Sequence, residues 1–126
     1  MKFTLPLRPR VARRPEGGMA SLPTPIALYL ESANRDDADA VAQCFTEHAV
    51  VRDENQTIEG WAAIQQWKEE TKKKYQHTIE PLGFVQKDGT TIVTNRLSGT
   101  FPGSPIELEF VFTLEGNKIT SLEIIS

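Results

Sequence analysis

The chain has 126 residues, 39% of them apolar and 25% charged, with one cysteine and a net charge of −3. That is material for one domain with its own core, and no apolar run reaches the length of a membrane-spanning helix. The single Cys44 excludes an internal disulfide and a multi-cysteine metal site, and it suits a reducing, cytoplasmic compartment.

The net charge is a cancellation between two unlike segments. Residues 1–18 hold Lys2, Arg8, Arg10, Arg13 and Arg14 against Glu16, a net of +4, whereas residues 19–126 carry −7. Pro6, Pro9, Pro15, Gly17 and Gly18 forbid a regular helix or a paired strand in the first segment. It reads as a disordered lead-in to a single domain over residues 19–126. Phe3 to Leu7 is too short for a secretory signal, and the prolines spoil a transit-peptide helix. The basic arm lacks interleaved aromatics and leads into an acidic domain, which argues against nucleic acid. The expectation is an upstream extension with Met19 as the start.

Beyond Met19, helices come first. Pro23 and Pro25 suit a first turn, with Ser21 or Thr24 as the cap. Ile26, Tyr29, Leu30 and Ala33 then recur at helical spacing, and Asn34 is the terminator. Asp36 or Asp37 caps a second helix with Val41, Cys44, Phe45 and His48 on one stripe. His48 would face the dipole at its C-terminus, and Cys44 reads as inert core. Ala49 to Asp53 is a short strand, ended by Glu54-Asn55-Gln56. Gly60 opens a third helix with Ile64, Trp67, Thr71 and Tyr75 on one face. Glu69–Lys73 and Glu70–Lys74 are expected i,i+4 pairs, and Lys72 to Lys74 a solvated last turn.

After Tyr75 the period changes to two. His77 to Lys87 is a strand with an edge position or bulge at Pro81 and Gly83. Asp88-Gly89 is a hairpin turn into Thr90 to Thr100, and Pro102-Gly103 turns again. From Ile106 to Leu114 every even position is apolar, with Glu107, Glu109 and Thr113 facing the other way. Gly116-Asn117 leads into the last strand, Lys118 to Ile125. Helices on one face of an antiparallel meander make an α+β domain.

Three stretches, in this order and followed by a meander, resemble the nuclear transport factor 2-like superfamily, in particular its SnoaL-like and ketosteroid isomerase-like branches. They are Tyr29 with Asn34-Arg35-Asp36-Asp37, Phe45-Thr46-Glu47-His48-Ala49-Val50-Val51-Arg52-Asp53, and Gly60-Trp61-Ala62-Ala63-Ile64. The resemblance covers about Pro25 to Ile125. It implies a cone-shaped curved antiparallel sheet, packed against three N-terminal helices, that encloses an apolar pocket. It also implies an acid/base site, with Tyr29 at the family's hydrogen-bond donor position and Asp53 at its base position. An aspartate facing an apolar cavity has its charged form disfavoured, which raises its pKa toward a useful range. Leu108 stands where the isomerase branch has a second acid, and Glu107 and Glu109 have the wrong parity to replace it. Steroid isomerisation is therefore not expected.

Each candidate has a plainer reading. Tyr29 is equally an ordinary half-buried helix tyrosine, and Asp53 a turn residue bonded to its own backbone. Trp61 and Trp67 read as core or pocket wall, beside Leu108 and Phe110 as further candidate ligand contacts. Arg96 shares its parity with Ile92, so it either points into the cone to bind a carboxylate or snorkels to the rim. His77 is either a second base at the pocket mouth or a surface histidine. Neither histidine pairs at ligand spacing, so no metal is expected, and no cofactor fingerprint appears. Two functions follow. One is cofactor-free acid/base chemistry of the isomerase, cyclase or dehydratase type on a small apolar carbonyl compound; the other is a non-catalytic binding or dimerisation module. A homodimer is expected through the outer face of the sheet, with Val111 and Ile119 or Ile125 in the contact.

Overall fold

A computed structural model describes residues 22–125 of the chain. The expected lead-in over residues 1–18, the start at Met19 and the cap candidate Ser21 lie outside the described residues. Helix α1 is Thr24–Asn34, with Pro23 rather than Thr24 at the cap position; the Pro23 carbonyl accepts from Ile26 and Ala27, both at 3.0 Å. Ile26, Tyr29, Leu30 and Ala33 form its buried stripe. Asn34 ends it and clamps β3 (Thr78–Lys87), accepting from the Ile79 amide and donating to the Ile79 carbonyl, each at 2.8 Å.

Helix α2 covers only Ala38–Gln43, capped by Asp37, whose Oδ1 accepts from the Ala40 amide at 3.1 Å. The stripe expected to continue through Phe45 and His48 does not. From Cys44 onward the backbone has a sheet partner: the Cys44 carbonyl accepts from Ile119 at 2.8 Å, and Phe45 pairs in parallel with Ile119. Strand β1 is therefore Phe45–Asp53, and His48 is an exposed strand residue, not a helix C-terminal one. Glu54 (φ 51°) and Asn55 (φ 64°) turn β1 into β2, Gln56–Glu59, a hairpin not foreseen in the sequence.

Gly60, at φ 91°, caps α3, Trp61–Tyr75. The meander follows as β3, β4 (Thr90–Ser98), β5 (Ile106–Glu115) and β6 (Lys118–Ile125). The six strands form one curved, unclosed sheet in the order β2-β1-β6-β5-β4-β3, antiparallel except for β1 against β6. This is the NTF2-like α+β fold, with α1 and α3 on the inner face and the core between. Tyr29, Phe45, Phe110 and Phe112 are fully buried there with Ile26, Ile64, Ile119 and Leu122. Ile119, expected on the outer face, is core because β6 bulges: Thr113 pairs with Ser121 but Leu114 with Ile119, and the skipped Thr120 reverses the parity.

The expected Glu69–Lys73 and Glu70–Lys74 pairs are absent from the ion pairs among the described residues. Glu70 instead accepts from Gln66, and Lys74 lies over the Tyr75 ring. Lys72 is drawn out of the solvated turn to Asp36 at 2.8 Å and to the His77 carbonyl.

Candidate functional site

Between α3 and the inner face of the meander lies a cavity of about 340 Å³. This falls at the small end of the range for small-molecule sites. Its sheet wall is apolar, made by Leu97 on β4, Ile106, Leu108 and Phe110 on β5, and Ile124 on β6. Phe101 and Pro102, from the β4–β5 connection, continue it. The opposite wall is polar. It comprises Trp67, Lys68, Thr71 and Tyr75 at helical spacing along α3, with His77 beyond its end and Asp53 and Glu54 from the β1–β2 corner.

Asp53 ends β1 with its side chain on the inner face, in line with the buried Ala49 and Val51. Trp67 Nε1 donates to Asp53 Oδ2 at 3.1 Å. Burial pushes the Asp53 carboxyl above the ordinary carboxylate range; the Trp67 hydrogen bond opposes this, Glu54 adds to it and Lys68 opposes it. The neighbouring Glu54 accepts from the Tyr75 hydroxyl at 2.7 Å, tying the β1–β2 turn to the last turn of α3.

Lys68 and His77 form the other polar pair. Lys68 is only 5% exposed, and its Nζ lies 3.5 Å from His77 Nε2. It also sits 5.2 Å from the Trp67 ring centroid and 5.6 Å from that of Tyr29, within reach of cation–π attraction. No carboxylate forms an ion pair with it among the described residues. Burial lowers its pKa to about 8, helped by Lys72 and opposed by Asp53 and Asp36. His77, equally buried, is lowered to about 4 by burial and by Lys68 and Lys72, against Asp36. It is therefore neutral at pH 7. An ammonium has only donors to offer, so a hydrogen bond from it uses the Nε2 lone pair and leaves the ring proton on Nδ1. That Nδ1 is buried without a protein partner.

Two further polar side chains are buried without a hydrogen-bond partner. The Tyr29 hydroxyl is one, on a ring packed edge-on to Phe45 and Phe112, and burial pushes the phenol far above its ordinary value. Asn95 is the other: it is fully buried, and both amide atoms are unpartnered. It lies on the inner face of β4, two residues before Leu97 and opposite Leu108 in register.

Of the residues singled out in the sequence, Asp53, Trp67, Leu108 and Phe110 line the cavity together, and so does His77. Tyr29 stands one layer behind, its ring 6.4 Å from that of Phe110. Trp61 is at the start of α3, 45% exposed, with its Nε1 donating to the Phe45 carbonyl at 2.8 Å. Arg96 is on the outer face, 3.4 Å from Glu80 and 3.9 Å from Glu107. Its shared parity with Ile92 is real, but the inner face of β4 is that of Thr91, Val93 and Asn95. Lys68 and Asn95 were not anticipated. Both left a trace: Lys68 is four residues after Ile64 on the apolar stripe of α3, and Asn95 alternates with Val93 and Leu97.

The described residues contain no group of three or more His, Cys, Asp or Glu placed to hold a metal ion, and no helix long and apolar enough to cross a membrane. The polar wall is suited to proton transfer: a carboxyl of raised pKa and a buried amine beside a neutral imidazole, facing an apolar surface.

Comparison with known proteins agrees with this fold. A putative polyketide cyclase from Sinorhizobium meliloti is 34% identical, with a TM-score of 0.81 over 86% of this chain and 99% of that one. The epoxide hydrolase/cyclase-like enzyme SalBIII, with a role in pyran ring formation in the polyether salinomycin, is 26% identical, with a TM-score of 0.70 over 80% and 86% of the two chains. A Catenulispora acidiphila protein with a ketosteroid isomerase-like fold has a TM-score of 0.73 over 82% of this chain and 85% of its own; at 15% identity it shares the fold alone. No curated protein matches the sequence. The model of the SnoaL-like domain matches residues 26–122, and the chain belongs to that family.

Proposed function

We propose that the cavity binds a small apolar carbonyl compound and that Asp53 acts on it as a general base, in cofactor-free chemistry of the isomerase, cyclase or dehydratase type. The observation that carries this reading is Asp53 itself: a carboxyl on the cavity wall, raised in pKa by burial and held by Trp67. The similarity to a putative polyketide cyclase supports the same class. In this reading the Asp53 carboxylate takes a proton from the carbon beside the carbonyl; the C–H electron pair becomes a carbon–carbon π bond and the carbonyl π pair moves onto the oxygen. The protonated Asp53 then returns the proton at the position that defines the product. The Trp67 N–H keeps one carboxylate oxygen oriented, leaving the other to the substrate. Tyr29, fully buried one layer behind Phe110, does not line the cavity, and the donor role expected for it is not assigned to it.

The test is exchange of the α-protons of β-tetralone into deuterated water, followed by NMR. The full chain is expected to accelerate exchange, and Asp53→Asn to lower the acceleration by roughly 100-fold or more, with β-tetralone still bound by calorimetry. The non-catalytic reading is favoured by Leu108, which gives the cavity an apolar side chain where an acid would complete the isomerase site. Binding without exchange in either protein would decide for it.

A further inference from the structure

The polar wall contains a charge that the proposed base does not use. Lys68 lines the cavity, is 5% exposed and has no carboxylate partner among the described residues. A buried ammonium without a counter-ion is strongly disfavoured. The contacts around Nζ are a neutral imidazole at 3.5 Å and two aromatic faces, which stabilise a cation but do not neutralise it. The charged and titratable groups around it are Lys72 on the same helix, His77 beyond its end, Tyr29 on α1, Asp53 on β1 and Asp36 between α1 and α2. Asp36 is already paired with Lys72 at 2.8 Å, and Asp53 with the Trp67 indole at 3.1 Å.

We propose that Lys68 is an anion anchor, and that the natural ligand is an apolar molecule ending in a single carboxylate that pairs with Nζ. The inference rests on reading the cavity as a ligand site and names the class of molecule it takes. The apolar body of the ligand lies along Leu97, Leu108 and Phe110, opposite the α3 wall. One negative charge fits better than two, because Asp53 and Glu54 line the same cavity and repel a dianion such as a phosphate monoester. The carboxylate also supplies the acceptor that the remaining ammonium protons lack.

Calorimetric titration of the full chain with β-naphthoate and its neutral isostere β-naphthamide tests this. At pH 7 the acid is expected to bind roughly tenfold to a hundredfold more tightly than the amide. Lys68→Met should abolish that preference while leaving the amide bound, and Lys68→Arg should retain part of it. In the native chain the preference should fade as the pH rises through about 8, where Lys68 loses its proton. Equal binding of acid and amide, or a preference that survives Lys68→Met, overturns the anchor and leaves the cavity reading intact. If neither probe binds, the anchor is overturned, and β-tetralone binding separately decides whether the cavity reading stands. Because the native chain alone distinguishes acid from amide, a misfolded variant does not obscure the result. The β-tetralone exchange carries no carboxylate, so its outcome bears on Asp53 and not on Lys68.

Discussion

On the outer face of the sheet, Arg96 lies between two carboxylates, Glu80 at 3.4 Å and Glu107 at 3.9 Å, with nearly half of its side chain exposed. On the inner side, Lys68 projects from α3 into the space under the same sheet, 5% exposed and with no carboxylate partner among the described residues. Charge is inexpensive where water screens it, and there it is paired. Where desolvation makes charge expensive, the chain leaves an amine, an imidazole Nδ1, a phenol and a carboxamide without full partners. Two of them, Lys68 and His77, line the cavity, and Tyr29 and Asn95 are fully buried without lining it. The difference separates a surface whose charges are solvated and paired from an interior whose polar groups are not.

Three substitutions sharpen that contrast. Phe112, fully buried and in contact with Tyr29 and Phe110, belongs to the part of the inner face that is packed, not open. Phe112→Ala should destabilise the domain by about 3–5 kcal/mol in denaturant unfolding. A loss below about 1 kcal/mol would mean that the inner layer is not the core.

Lys68 gives the next effect, and its sign follows from linkage. Its pKa is lowered from 10.5 to about 8 in the folded chain. Between those values the unfolded chain binds more protons, so stability rises with pH, by up to about 3 kcal/mol. The raised thiol of Cys44 opposes the rise above pH 9 and the raised phenol of Tyr29 above pH 10, which leaves pH 8 to 9 as the informative window. The rise should be visible there in denaturant titrations and missing in Lys68→Met. A flat profile in the native chain would put Lys68 in contact with water. Arg96→Ala should change stability by less than about 1 kcal/mol, and less again in high salt. A larger loss would mean that the outer pairs hold the sheet together.

The meander was legible because β5 alternates strictly and Asp88-Gly89 fixes the turn before β4. The β1–β2 hairpin was not, because β1 does not alternate evenly: Phe45, Ala49 and Val51 face inward across a bulge. The same uneven spacing gives His48 a helical register in the sequence although it lies in β1. The two positive-φ residues, Glu54 and Asn55, were readable only as an end to β1, although a turn of that kind also begins a partner strand. Of the cavity lining, Asp53 is legible from the family motif and Trp67 from helical spacing. Lys68 was legible as a charge on an apolar stripe, but its burial depends on the sheet closing over α3, a non-local contact that no local pattern contains. The parity that Arg96 shares with Ile92 is the outer one, because the buried residues of β4 are Thr91, Val93 and Asn95.

The most direct test of the central claim is the pH dependence of β-tetralone α-proton exchange catalysed by the full chain. The rate should climb as Asp53 ionises, with a midpoint above 3.8, the ordinary value for aspartate, because burial disfavours its charge. That limb should vanish in Asp53→Asn. A native profile that superimposes on that of Asp53→Asn would contradict the assignment of Asp53 as the base.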